Sequence, residues 1–134
     1  MLTSRISSGT PEHPTPKDVL RALLARMLER GVESSWAHFE VIAEGGWFMN
    51  LLSGTQPWIE VAFVNHQSLQ LNHGIQMAKC SVMPAIPEKW CHVAKGLWNV
   101  PIADSEELTM WIDRCLVAVS GRPSYQLSGW IEGL

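Results

Sequence analysis

The sequence predicts an α+β domain: an antiparallel sheet of three to five strands with helices packed on one of its faces. Three observations lead there. An amphipathic helix with recognisable ends comes first, a group of short alternating or β-branched runs follows, and the other helical patterns are gathered after them, with no β-α-β alternation of the kind a parallel sheet needs. The densest β-branched and aromatic run, Gln56-Pro57-Trp58-Ile59-Glu60-Val61-Ala62-Phe63-Val64-Asn65, is entered by proline and left by asparagine, so it reads as a strand at the centre of that sheet. The connections between runs are short, as antiparallel neighbours allow.

Residues 1–14 are rich in Ser, Thr, Gly and Pro and read as a flexible leader, and residues 15–134 read as a single domain. Thr15 supplies a hydroxyl N-cap, Pro16 the first helical position and Asp18 an acid in the first turn. Leu20, Leu23, Leu24, Met27 and Leu28 then form one apolar stripe, which Gly31 ends. In Ala37 to Glu44, Phe39, Val41 and Ala43 alternate with His38, Glu40, Ile42 and Glu44, the pattern of a half-buried strand. Gly45-Gly46 turns the chain into a second run, Trp47 to Leu52. In the central strand Ile59, Val61 and Phe63 face the core, and Trp58, Glu60, Ala62 and Val64 face away from it.

Ser68 to Asn72 is a further short strand, and the pattern of Ile75 to Val82 does not decide whether it adds a fifth. Pro87 to Lys95 reads as a short helix that opens on proline and stops at Gly96, with Trp90, Val93 and Ala94 on one side. Leu97 to Pro101 is extended. Asp104-Ser105-Glu106-Glu107 has the form of a capping box, and Leu108, Trp111, Ile112, Cys115, Leu116 and Val119 make the buried stripe of the helix it opens. Gly121 and Pro123 end that helix. The tail from Tyr125 to Leu134 carries Leu127, Trp130 and Ile131, enough apolar surface to dock at a sheet edge or as an extended arm.

Composition narrows the function classes. Of 134 residues 46% are hydrophobic and 17% charged, which describes a globular chain on the low-charge side of ordinary usage. A net charge of −3 gives no general attraction to phosphate, so neither nucleic acid nor an anionic membrane is an expected partner. No apolar run approaches the ~20 residues needed to cross a bilayer, and Met1 to Thr10 lacks the apolar centre of a signal peptide. Cys80, Cys91 and Cys115 are too few and too odd for a disulfide framework, and their reduced state is expected of a cytoplasmic protein.

No motif positions a catalytic group. Cys91-His92, Cys80, His66 and His73 do not match the ligand spacing of a zinc site. His38-Phe39-Glu40 has the H-x-E form of zinc deaminases, but no Pro-Cys-x-x-Cys accompanies it, and the pair reads as part of a hydrated polar strand face. Cys91 and His92 are adjacent, which on a helix sets them ~100° apart and offers no hydrogen bond to activate the thiol. There is no nucleophile elbow, phosphate-binding lysine loop or dinucleotide glycine pattern. The expectation is a chain that is not an enzyme and has no catalytic residues, cofactor or metal.

Charge and tryptophan are distributed more informatively. Between Gly31 and Ala78 there is no Lys or Arg, while Glu33, Glu40, Glu44 and Glu60 fall there. A sheet surface of that composition suits a basic protein surface or a polar extended segment. Seven tryptophans stand against one tyrosine, and although most are expected in the core, Trp36, Trp58 and Trp98 are candidate contacts. With Glu40 and Glu60 they make up the predicted partner-binding set.

The leading helix, the glycine-punctuated strands, the Pro57-Trp58-Ile59-Glu60-Val61-Ala62-Phe63-Val64 run, the later Leu97-Trp98-Asn99-Val100-Pro101, and a final helix ending Ala118-Val119-Ser120-Gly121 together resemble the TY-Chap group. These are bacterial proteins likened to chaperones of type III secretion effectors. The resemblance spans roughly Thr15 to Gly121. It implies an α+β fold, a possible homodimer, no catalytic residues, and a partner polypeptide bound along sheet and helices. The expected function is therefore a cytoplasmic, secretion-chaperone-like domain that engages a cognate protein. One alternative is an immunity protein that caps a toxin. Another is a small-ligand binder or enzyme with a cleft between sheet and helices.

Overall fold

The structure is a computed structural model in which residues 5–41, 58–73, 84–120 and 125–134 are described. Their order is β1 (Ile6–Ser7), α1 (Pro16–Arg30), β2 (Trp36–Val41), β3 (Trp58–Phe63), β4 (Ser68–His73), β5 (Cys91–Ala94), β6 (Leu97–Pro101), a 3-10 turn (Ile102–Asp104), α2 (Ser105–Ser120) and β7 (Leu127–Glu132). All the strands join one sheet in the order β1-β7-β2-β3-β4-β6-β5, every neighbour antiparallel. The α+β class and the antiparallel sheet agree with the sequence. Seven strands exceed the three to five expected.

Four described strands lie outside the expected set: β6, where the sequence reads Leu97 to Pro101 only as an extended connection, and β7, β1 and β5. The tail does not dock at an edge: β7 is inserted between β1 and β2, and pairs with β2 from Trp36↔Glu132 to Val41↔Leu127. Part of the expected leader is tied into the sheet, because Ile6 and Ser7 pair with Gly129 and Ser128, and the Ser8 amide donates to the Leu127 carbonyl at 2.8 Å. The predicted helix over Pro87 to Lys95 is instead β5 and the turn before it. Ala94 pairs with Leu97 across Lys95-Gly96, and Gly96 at φ 73° makes a hairpin turn where the sequence reads a helix stop. A Cβ at Gly96 would stand 2.8 Å from the His73 carbonyl oxygen, so glycine also lets β4 come close. The predicted runs Trp47 to Leu52 and Ile75 to Val82 lie outside the described residues.

The first helix forms for the reasons the sequence offers. Thr15 and Asp18 make a reciprocal capping box, with the Thr15 amide donating to Asp18 Oδ2 at 2.9 Å. Those Thr15 bonds hold the Asp18 carboxyl below its ordinary range. Gly31 at φ 60° closes the helix, its amide donating to the Met27 carbonyl. Leu20, Leu23, Leu24 and Met27 are buried against Phe39, Ile59, Val61 and Phe63 of the sheet, with Leu108, Ile112 and Leu116 of α2 in the same core. The Val119 side chain lies outside the described ones. Asp104 sends its carboxylate to the Trp90 indole N–H (3.1 Å) and to Lys89 Nζ (2.9 Å). That buried acceptor pins the approach to β5 onto the start of α2.

Both described helices lie on one face of the sheet. Helix α1 comes closest over β7, where a Cβ built on Gly129 would stand 2.7 Å from Leu23 Cδ1 and 2.9 Å from Phe39 Cδ1. Glycine is what admits the helix there. Gly129→Ala is therefore expected to cost ~2 kcal/mol through overpacking, read as a lower urea midpoint at unchanged slope; an unchanged midpoint would show that α1 can shift freely.

His73 gives a second prediction. It ends β4 on the helix side, with its ring 6.0 Å from that of Trp111 and its Nδ1 without a hydrogen-bond partner. Burial holds its imidazole below the usual histidine range. The unfolded chain takes up a proton near pH ~6.5 that the folded chain refuses until lower pH, so stability falls as pH drops below that value. His73→Gln should remove part of this loss, measured as the difference in urea midpoint between pH values above and below it. Equal differences in both proteins would contradict the assignment.

Candidate functional site

The face of the sheet opposite the helices is built by period-two alternation. In β2 and β3 the residues Ala37, Phe39, Val41, Ile59, Val61 and Phe63 are buried, so Trp36, His38, Glu40, Trp58, Glu60 and Ala62 point the other way. The register sets Trp36 against Ala62, His38 against Glu60 and Glu40 against Trp58. Strand β7 adds Trp130 opposite His38, Glu132 opposite Trp36 and Ser128 opposite Glu40. Four of the five predicted contact residues, Trp36, Glu40, Trp58 and Glu60, thus share one face and adjacent positions. Trp98 does not join them. It pairs with Leu71 on the helix side, where its ring lies 4.4 Å from that of His92 and packs partly against the core.

His38 is at the centre of the patch. Its ring centroid is 4.4 Å from that of Trp130, 6.1 Å from Trp36 and 6.4 Å from Trp58. One ring nitrogen, Nδ1, lies 3.1 Å from Glu60 Oε1, and Nε2 lies 3.5 Å from Glu40 Oε2. The side chain is only 15% exposed, so the sequence-based reading of a hydrated His38–Glu40 face needs correction: indole rings, more than water, surround the imidazole. Only Trp90 and Trp111 of the six described tryptophans are buried, fewer than expected.

The patch has a cation of its own. Arg5 lies with its guanidinium carbon 4.4 Å from the Trp130 ring centroid, and its Nη1–H donates to Glu40 Oε1 at 3.0 Å. The Trp130 indole N–H donates to Glu132 Oε1 at 3.3 Å. Arg5, His38 and Trp130 were absent from the predicted set. Trp130 was recoverable, because Leu127, Gly129 and Ile131 alternate with Ser128, Trp130 and Glu132 as a strand with one buried face should. For Arg5 no local signal exists, since its position depends on pairing between the two ends of the chain.

Beside this patch a shallow hollow of about 170 Å³ is lined by Trp36, Glu60, Ala62, Gln70, Asn72 and Leu97. It lies on the outer face rather than between sheet and helices. Among the described residues no three His, Cys, Asp or Glu side chains converge to hold a metal ion. What the face offers is flat aromatic area bordered by carboxylates, which can receive apolar and cationic side chains.

The Arg5–Glu40 pair is half exposed on the arginine side, so its contribution is small. A double-mutant cycle with Arg5→Ala and Glu40→Ala, read by chemical unfolding, is expected to give a coupling below ~1 kcal/mol; a coupling of several kcal/mol would make the pair a structural clamp. Compared with protein-family models, with curated proteins and with solved structures, the chain finds no match.

Proposed function

We propose that the chain is a non-catalytic protein-binding domain that engages a cognate protein through the outer face of its sheet. The observation that carries this reading is the gathering of Trp36, Trp58 and Trp130 with Glu40, Glu60 and Glu132 on the face that neither helix packs against. Tryptophan in the middle of a contact surface is the residue type with the largest binding contribution, and rim carboxylates add steering and register. A secretion-chaperone-like role in the cytoplasm, as the TY-Chap resemblance implies, is the form of this function we favour. The hollow beside Trp36 supports a small-ligand site less well, because ~300 Å³ is the lower end of ordinary ligand cavities.

The test is a photo-crosslinking amino acid placed at Ala62 on the outer face, and separately at Val93 on the exposed edge strand, in cells that make the chain. One cognate protein should be trapped from Ala62 and not from Val93. Trp58→Ala should weaken its binding by ~2 kcal/mol or more while leaving the unfolding free energy within ~0.5 kcal/mol. Glu40→Lys together with Glu60→Lys should slow association, and less so at high salt. Trapping from Val93 alone, or unfolding by Trp58→Ala, would overturn the outer-face reading. Hydrogen exchange on the trapped partner then separates roles: exchange-fast regions outside the bound segment fit a chaperone, and a folded partner fits a toxin-capping protein.

A further inference from the structure

Arg5 sits where a partner's side chain could sit. Its guanidinium lies against the Trp130 ring and on the Glu40 carboxylate, a flat π-face and an anion that together match a planar cation. The seat is filled from the start of a two-residue strand. Strand β1 pairs with β7 over Ile6 and Ser7, and Ser8 anchors it further, its amide and Oγ meeting Leu127 and its Oγ–H donating to Gln126. Arg5 lies beyond that anchor and is itself held on this face by the ring contact and one ion pair, with its side chain 55% exposed.

A second observation is independent of charge. Ser128 stands in the row next to Trp130, directly across from Glu40, and is 1% exposed, yet its Oγ has no hydrogen-bond partner. A buried hydroxyl without a partner is costly, and an incoming donor or acceptor at this position would relieve it. Glu60 and Glu132 on the same face are bonded to His38 and Trp130, and neither has a Lys or Arg partner among the described residues.

Resting on the protein-binding reading above, we propose that the partner presents an extended, arginine-bearing segment whose guanidinium displaces Arg5 from Trp130 and Glu40. Arg5 is thus an internal placeholder, and the free protein carries a low-affinity, self-occupied site. Arginine is preferred to lysine because a planar fork can lie on an indole and bond a carboxylate at once, whereas an ammonium does one or the other.

The probes are three acetylated peptides, Val-Arg-Val-Arg-Val, Val-Lys-Val-Lys-Val and Val-Gln-Val-Gln-Val, titrated into the full chain by calorimetry. The arginine peptide should bind about 10-fold tighter than the glutamine peptide, with lysine between them. Arg5→Gln should tighten arginine-peptide binding by about 5-fold and leave the glutamine peptide unchanged, because an occupied seat lowers apparent affinity by its occupancy. Arg5→Lys, which keeps the charge, should tighten it by less, and Glu40→Gln should erase the arginine preference. Binding that Arg5→Gln weakens or leaves unaltered overturns the placeholder. Equal binding of the three peptides, lost on Trp58→Ala, overturns the arginine preference and leaves the protein-binding reading standing. No binding of any peptide, with no cross-link from Ala62, overturns both.

Discussion

Everything in this fold depends on seating the chain's last strand inside the sheet. β7 hydrogen-bonds to β1 on one side and β2 on the other, so two ends of the sequence meet over Gly129 and Ser128. The absence of a side chain at Gly129 lets Leu23 and Phe39 close over that point, which fixes where α1 lies. The same insertion places Trp130 beside His38 and brings Arg5 within reach of Glu40. Core packing and the composition of the outer face are thus set by one pairing with long sequence separation, a contact whose ordering entropy is recovered only when the sheet is complete.

The two faces of that sheet follow different rules. Toward the helices, leucine, isoleucine, valine and phenylalanine exclude water and contribute the apolar burial that stabilises the domain. Away from them, aromatic rings and carboxylates share the surface, and His38 bridges the two kinds of group. On such a face rings give area at low side-chain entropy, and carboxylates favour the approach of positive charge.

Much of the fold was legible locally. Thr15, Pro16, Asp18 and Gly31 mark both ends of α1, and the alternation through β2 and β3 assigns Phe39, Ile59, Val61 and Phe63 to the core. Trp36, Glu40, Trp58 and Glu60 were legible for the same reason, since one buried face defines the other. Elements that depend on distant partners were not. Pro87 to Lys95 has the proline and glycine punctuation of a short helix, and it is the pairing of Cys91, His92 and Ala94 with Asn99, Trp98 and Leu97, with the Trp90–Asp104 anchor, that makes its second half a strand. Trp98 reads as a surface tryptophan until the Leu71 register turns it toward the helices. Arg5 becomes part of the site solely because β1 finds β7.

The most direct measurement follows the six described tryptophan indole N–H signals by NMR while the cross-linked partner, or the arginine peptide, is titrated into the full chain. Trp36, Trp58 and Trp130 should shift together, while Trp90 and Trp111, buried behind the sheet, stay in place. Shifts confined to Trp90, Trp98 and Trp111 would put the contact on the helix side and contradict the outer face as the binding surface.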